Sequence, residues 1–274
     1  MAKIWMYVLG ANSNPDCVRC QVPWRVDEKL IFFGPCKKGI RKCLRKMFLG
    51  PNRSHQMVTE ELFIVGVNTL GRVKKRKVVW WGKLSEVMTF AEADKRLKGD
   101  RFQKLRNHRC SPLHVRPVLE DGMLIGYKHK SDEHIKKEEW VSDLVSKSAR
   151  PDVLVKGRQL TLKQGKPWQA FDRDCCMLLE NRFFALGKDI QPGIEFDEEA
   201  MDILREAQPE TCHIDDPAIF GRDTNGKVIG LRGHFLEIPK NLTNCFFAWL
   251  ESRSPERVKH EWSQEFGPAK TSCA

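Results

Sequence analysis

Apolar residues come in short runs along this chain, and the spacing within each run predicts an element. Lys3 to Leu9 is almost continuously apolar and reads as a buried strand. Lys29 to Phe33 reads as a second strand, stopped by Gly34-Pro35. From Cys36 to Phe48 the apolar set is Ile40, Cys43, Leu44, Met47 and Phe48, the spacing of one helical face. Glu61 to Asn68 and Lys77 to Met88 read as strands, the second long and bent at Gly82. Phe90 to Leu97 follows as a short helix with Thr89 as its N-cap. Met123 to Tyr127 is a strand, and Lys136 to Ser148 a helix burying Trp140, Val141, Leu144 and Val145. Ala149 to Asp174 is polar and irregular, which predicts a long mobile loop. Beyond it lie apolar pieces at Cys176 to Leu179 and Arg182 to Leu186, then a helix at Phe196 to Ala207. A hairpin turning at Arg232-Gly233 precedes a last helix, Asn241 to Glu251, with core residues Leu242, Cys245, Phe246, Trp249 and Leu250.

Short strands with helices inserted irregularly between them predict an α+β fold, in which separated strands close a small barrel. No regular strand–helix alternation supports a dinucleotide fold, and Gly34 to Gly39 lacks the full phosphate-loop pattern. The chain has 274 residues, 41% hydrophobic and 30% charged, enough for a real core under a soluble surface. No apolar run reaches membrane-spanning length, and the short apolar start runs into Asn12-Ser13-Asn14-Pro15, so a cytoplasmic location is expected.

The net charge of +11 favours polyanions through the long-range field and counterion release. An acidic protein partner and simple solubility are the other readings. Ten cysteines are many for such a chain. Cys17 and Cys20 have metal-ligand spacing, but Cys36 and Cys43 do not repeat it. Reduced thiols without a metal or cofactor are expected, with Cys17 and Cys20 the candidate pair if zinc binds.

Two segments carry most of the chemistry. On a helical wheel, Lys38, Arg41, Lys42, Arg45 and Lys46 fall opposite the apolar side of the Cys36–Phe48 helix. With Lys37 at its start, this face suits a phosphate backbone; a solvated surface is the plain alternative. The second segment is VKKRKVVWWGKL, from Val73 to Leu84. Strand alternation sets Val79, Trp81 and Lys83 on one side and Val78, Trp80 and Gly82 on the other. One indole then faces the core, and the other can form a stacking wall beside the cations Lys74, Lys75, Arg76 and Lys77. A polar turn holding Tyr127, His129 and His134 is a third candidate for contacting a base, with Tyr127 adding to the stacking surface. Arg116 can hold a phosphate or pair with an acid. An enzymatic alternative uses Lys83 beside Glu86, or His129 with His134, for proton transfer.

Phe33-Gly34-Pro35-Cys36-Lys37-Lys38-Gly39-Ile40-Arg41 resembles the Cys-Lys-x-x-Ile-Arg stretch of nucleotide modification-associated domain proteins, in the PUA-like group with the EVE and ASCH domains. Phe63 to Gly66, Val78 to Phe90 and Cys176 to Gly187 are similar in order and character to later strands of that family. Trp80-Trp81 and the Cys17–Cys20 pair depart from its pattern. The resemblance implies a small bent PUA-like barrel over residues 1–190, with an α/β extension over 191–274 packed on it. It implies binding of nucleic acid, DNA before RNA, with a base, modified or not, held in a pocket near phage or restriction systems. Some ASCH members are hydrolases, so hydrolysis or editing of a modified base is the alternative.

Overall fold

The computed structural model describes residues 2–9, 23–34, 37–67, 77–107, 113, 115–129, 141, 143–185, 193–206 and 235–254. Its organising element is strand β6 (Lys77–Met88), which is partnered along both edges. On one edge it pairs with β5 (Leu62–Val67) and then β4 (His55–Met57). On the other it pairs with β11 (Cys176–Phe184) and, at its start, β12 (Ile194–Glu195). The sheet continues through β1 (Lys3–Val8), parallel to β5, to β13 (Leu236–Glu237). In the other direction it runs through β3 (Leu30–Phe33) to β2 (Trp24–Arg25). This nine-stranded sheet ends at β13 and β2, and no closed barrel is found among the described strands.

A second, four-stranded antiparallel sheet has the order β7 (Val115–Glu120), β8 (Met123–His129), β10 (Gln159–Leu162), β9 (Val153–Lys156). The architecture is therefore α+β, as expected. Much of the segment read as a long loop is ordered instead. It holds the β9–β10 hairpin and helix Pro167–Ala170, whose short polar stretches gave no strong periodic signal.

Both faces of the large sheet are covered. One face packs Ile4, Met6, Phe63, Val65 and Trp81 against helices Glu198–Glu206 and Lys240–Arg253. The other packs Trp5, Tyr7, Ile64, Trp80 and Leu84 against helix α1 (Lys38–Leu44) and the π-helical turn Arg45–Leu49 that continues it. A third cluster joins Phe32, Met88 and Leu178 to helix α2 (Phe90–Arg96) and the inner side of the small sheet. Thr89 caps α2 as predicted, accepting the Glu92 N–H at 3.2 Å. Cys245, assigned to the core face of the last helix, is exposed.

Bulges reset the alternation in β6. Gly66 pairs with Trp80 and Val67 with Val78, which leaves Val79 as an extra residue. Val78 then shares the side of Trp81, and Val79 packs on the side of Trp80, the reverse of the strict alternation expected. Gly66 is required by this packing: a Cβ there would lie 1.9 Å from Trp80 Nε1. Gly66→Ala should therefore cost about 1–3 kcal/mol or more through overpacking. Urea denaturation measures this, and a variant as stable as the parent would show that the Trp80 ring is not seated against Gly66.

Candidate nucleic-acid interface

The helix from Lys38 to Leu49 divides its cations into two sets. Lys38, Lys42 and Lys46 are exposed, spaced i, i+4, i+8. Arg41 and Arg45 are buried, at 0% and 5% exposure, alongside Ile40, Leu44 and Phe48. The expectation that both arginines contact phosphate is thereby corrected. A wheel that counts only apolar residues misses that an arginine stem packs as hydrocarbon while its planar fork reaches several carbonyls.

The two guanidinium groups close on the segment Asp172-Arg173-Asp174-Cys175 that leads into β11. Arg41 donates to the carbonyls of Arg173 and Asp143, and at 3.4 Å to that of Cys175. Arg45 donates to the Asp174 carbonyl and lies 3.8 Å from the Asp174 carboxylate. That carboxylate, 1% exposed, also accepts the Phe90 N–H at 2.8 Å and the Tyr127 hydroxyl. Burial raises the Asp174 pKa, partly offset by Arg45, and raises that of Tyr127 well above the ordinary phenol range. Tyr127, expected at a polar contact surface, is thus a fully buried donor. Lys37 is turned inward too. Its backbone is left-handed at φ 60°, and its ammonium donates to the Val8 carbonyl and sits 4.8 Å from the Tyr7 ring centroid.

Neither Trp80 nor Trp81 forms a solvent-facing wall. They point to opposite sides of the sheet, as alternation predicts, but a layer covers each side. Trp80 is 0% exposed and donates to Tyr7 Oη at 3.1 Å; Trp81 is 2% exposed and donates to Ser254 Oγ at 3.0 Å. The neighbouring cations Lys74, Lys75 and Arg76 lie outside the described residues, as do His134, Cys17 and Cys20.

Of the proton-transfer pairs, no contact joins Lys83 to Glu86, and the partner of His129, His134, lies outside the described residues. Glu86 engages His55 at 2.8 Å and Arg96 at 3.4 Å, whereas Lys83 makes no ion pair among the described residues. The bulge at Ser85 sets Lys83 and Glu86 on the same side of β6, opposite Leu84 and Val87, but Glu86 is engaged by His55 and Arg96 instead. His129 is buried at the end of β8 rather than displayed on a turn. Arg116 pairs with Asp94 on α2. Burial pushes the Cys175 thiol up to about 12, far from a reactive thiolate. No group of three or more His, Cys, Asp or Glu side chains is placed to hold a metal among the described residues, where no helix is long and apolar enough to cross a membrane.

One aromatic residue escaped the sequence reading. Trp168, in helix Pro167–Ala170, is half-buried and belongs to none of the core clusters. The Arg45 guanidinium lies 4.8 Å from its ring centroid. Lys42, one turn before Arg45, pairs at 3.1 Å with Asp172, four residues after Trp168. The lysine stripe and this indole therefore meet at one joint. No sequence signal pointed to Trp168, because its short helix is neither periodic nor flanked by a basic run. Compared with known proteins, the chain matches no family model, no curated protein and no solved structure.

Buried and exposed cations of one helix should respond differently to truncation. Arg41→Ala and Arg45→Ala should each cost about 3–5 kcal/mol, by leaving partners buried and unpaired. Lys38→Ala and Lys46→Ala should stay within about 0.5 kcal/mol. Chemical denaturation separates the two classes, and small losses at both arginines would place them at the surface. The raised Asp174 pKa also has a sign. Between the reference value of 3.8 and its higher folded value, the native state keeps a proton that the unfolded chain releases. That contribution is complete below 3.8 and is lost as pH rises through the folded value. Stability of the parent relative to Asp174→Asn should accordingly fall with rising pH across this window; a difference that stays flat or grows would contradict the shift.

Proposed function

We propose that this protein binds nucleic acid through the exposed lysine stripe Lys38, Lys42 and Lys46. The observation that carries the reading is the stripe itself: three ammonium groups on one helix face, of which only Lys42 has an ion-pair partner among the described residues. Successive lysines four residues apart rise ~6 Å along the axis and repel one another, a cost that an anionic backbone relieves. The net charge of +11 adds a long-range attraction to any polyanion. The resemblance to nucleotide modification-associated proteins favours DNA, carrying modified or unmodified bases, as the first ligand to test. The PUA-like barrel that the resemblance implies is part of the same proposal. A wall formed by Trp80 and Trp81 is not, since both indoles are sealed in the core.

Binding through phosphate contacts should weaken steeply with salt, and replacing Lys38, Lys42 and Lys46 together by glutamine should lower affinity on all sequences alike. Each lost contact should also reduce the slope of log K against log salt by about 0.7–0.9. Fluorescence anisotropy across a salt series tests both. Unchanged affinity and slope in the triple variant would remove the stripe from the interface.

A further inference from the structure

The geometry points to Trp168 as a base-stacking platform at the edge of the lysine stripe, which makes an unpaired strand the preferred ligand. This rests on the reading of the stripe as a phosphate-binding surface and names the kind of nucleic acid it takes.

Six tryptophans lie among the described residues. Trp5, Trp24, Trp80, Trp81 and Trp249 are buried within core clusters. Four of their indole N–H groups have named acceptors: Glu237 for Trp5, Tyr7 for Trp80, Ser254 for Trp81 and Asp197 for Trp249. Trp168 differs in both respects. It belongs to none of the core clusters, it is half-buried, and no described residue accepts its N–H. Large aromatic side chains usually bury their surface and satisfy their polar edge. An indole held outside the core clusters with no described acceptor for its N–H, beside the segment that Lys42 ties to the stripe, is built like the aromatic element of a single-strand site.

The ring is nonetheless held in place. Arg45 is anchored from below by the Asp174 carboxylate and carbonyl, and its guanidinium lies against one side of the indole. Cation–π contact with a desolvated guanidinium holds the ring in a fixed orientation. The Lys42–Asp172 pair ties the stripe to the same segment of chain. A strand whose phosphates follow the lysines thus passes an aromatic face onto which an unpaired base can turn. A duplex keeps its bases stacked inside and gains only the phosphate term.

The test uses the full-length protein and three labelled probes: an oligo-dT strand, an abasic strand with the same number of phosphates, and a duplex. The parent should bind oligo-dT roughly 5- to 150-fold more tightly than the abasic strand, the range for stacking one base. Trp168→Ala should erase that preference while leaving abasic-strand and duplex binding within about two-fold, since phosphate contacts carry those. Trp168→Phe, which keeps a ring over Arg45, should retain most of the preference and guards against a folding defect in the alanine variant. Oligo-dT should also quench intrinsic fluorescence in the parent, and the quench should be lost in Trp168→Phe. Retention of the oligo-dT preference in Trp168→Ala, or a quench that persists in Trp168→Phe, would overturn the assignment. A parent that binds all three probes equally at low salt removes the stacking role and leaves the stripe standing. A parent that binds none of them removes both.

Discussion

A carboxylate taken out of water needs partners that stay in place, and Asp174 recruits them from three separate parts of the chain. Arg45 comes from the helix after β3, the Phe90 N–H from the start of α2, and the Tyr127 hydroxyl from the small sheet. In a low-dielectric interior each of these contacts is stronger than in water, and each is costly to break singly. Asp174 therefore fixes how the large sheet, the basic helix, α2 and the small sheet meet. Arg41 reinforces the same joint by spanning the carbonyls on either side of it and that of Asp143.

That joint decides which cations the surface keeps. A guanidinium is planar, weakly hydrated and able to serve several acceptors, so Arg41 and Arg45 suit the interior. An ammonium is compact and strongly hydrated, and Lys38, Lys42 and Lys46 stay in water. The helix thus presents a narrower positive surface than its composition suggests, made of lysines, with Met47, assigned to the apolar side by its spacing, exposed beside Lys46. The π-helical turn at Arg45–Leu49 accommodates the change, with the Gly50 N–H donating to the Arg45 carbonyl at 2.9 Å. Phe48 and Leu49 are both buried there although they are adjacent in sequence.

The function proposed here follows from what this arrangement leaves over. The indoles of β6 serve the two cores, so among the described tryptophans Trp168 is the one left for the aromatic contact that we propose. Its ring is positioned by the same Arg45 that holds Asp174. One buried ion pair thereby couples the stability of the fold to the orientation of a surface aromatic, which is how a rigid scaffold aims a side chain carried on a short loop helix.

Most of the long elements were legible from residue patterns alone: β1, β5, β6, the basic helix, α2 and the last helix stand where apolar periodicity, a cap or a Gly-Pro stop predicted them. The reason is local, because periodicity and capping depend on a few neighbouring residues. Short strands such as β4, β9 and β10 were invisible, since three or four residues of mixed polarity acquire their hydrogen bonds only from distant partners. Facing was decided by tertiary structure. A sheet covered on both sides buries both Trp80 and Trp81, bulges at Val79 and Ser85 reverse the expected alternation, and Arg41 and Arg45 turn inward because Asp174 and the carbonyls around it, more than a hundred and twenty residues away, are there to receive them. The amino-acid sequence determined the elements and the excess of positive charge. Only the packing of distant segments decided which charges and which of the described indoles remain in contact with water.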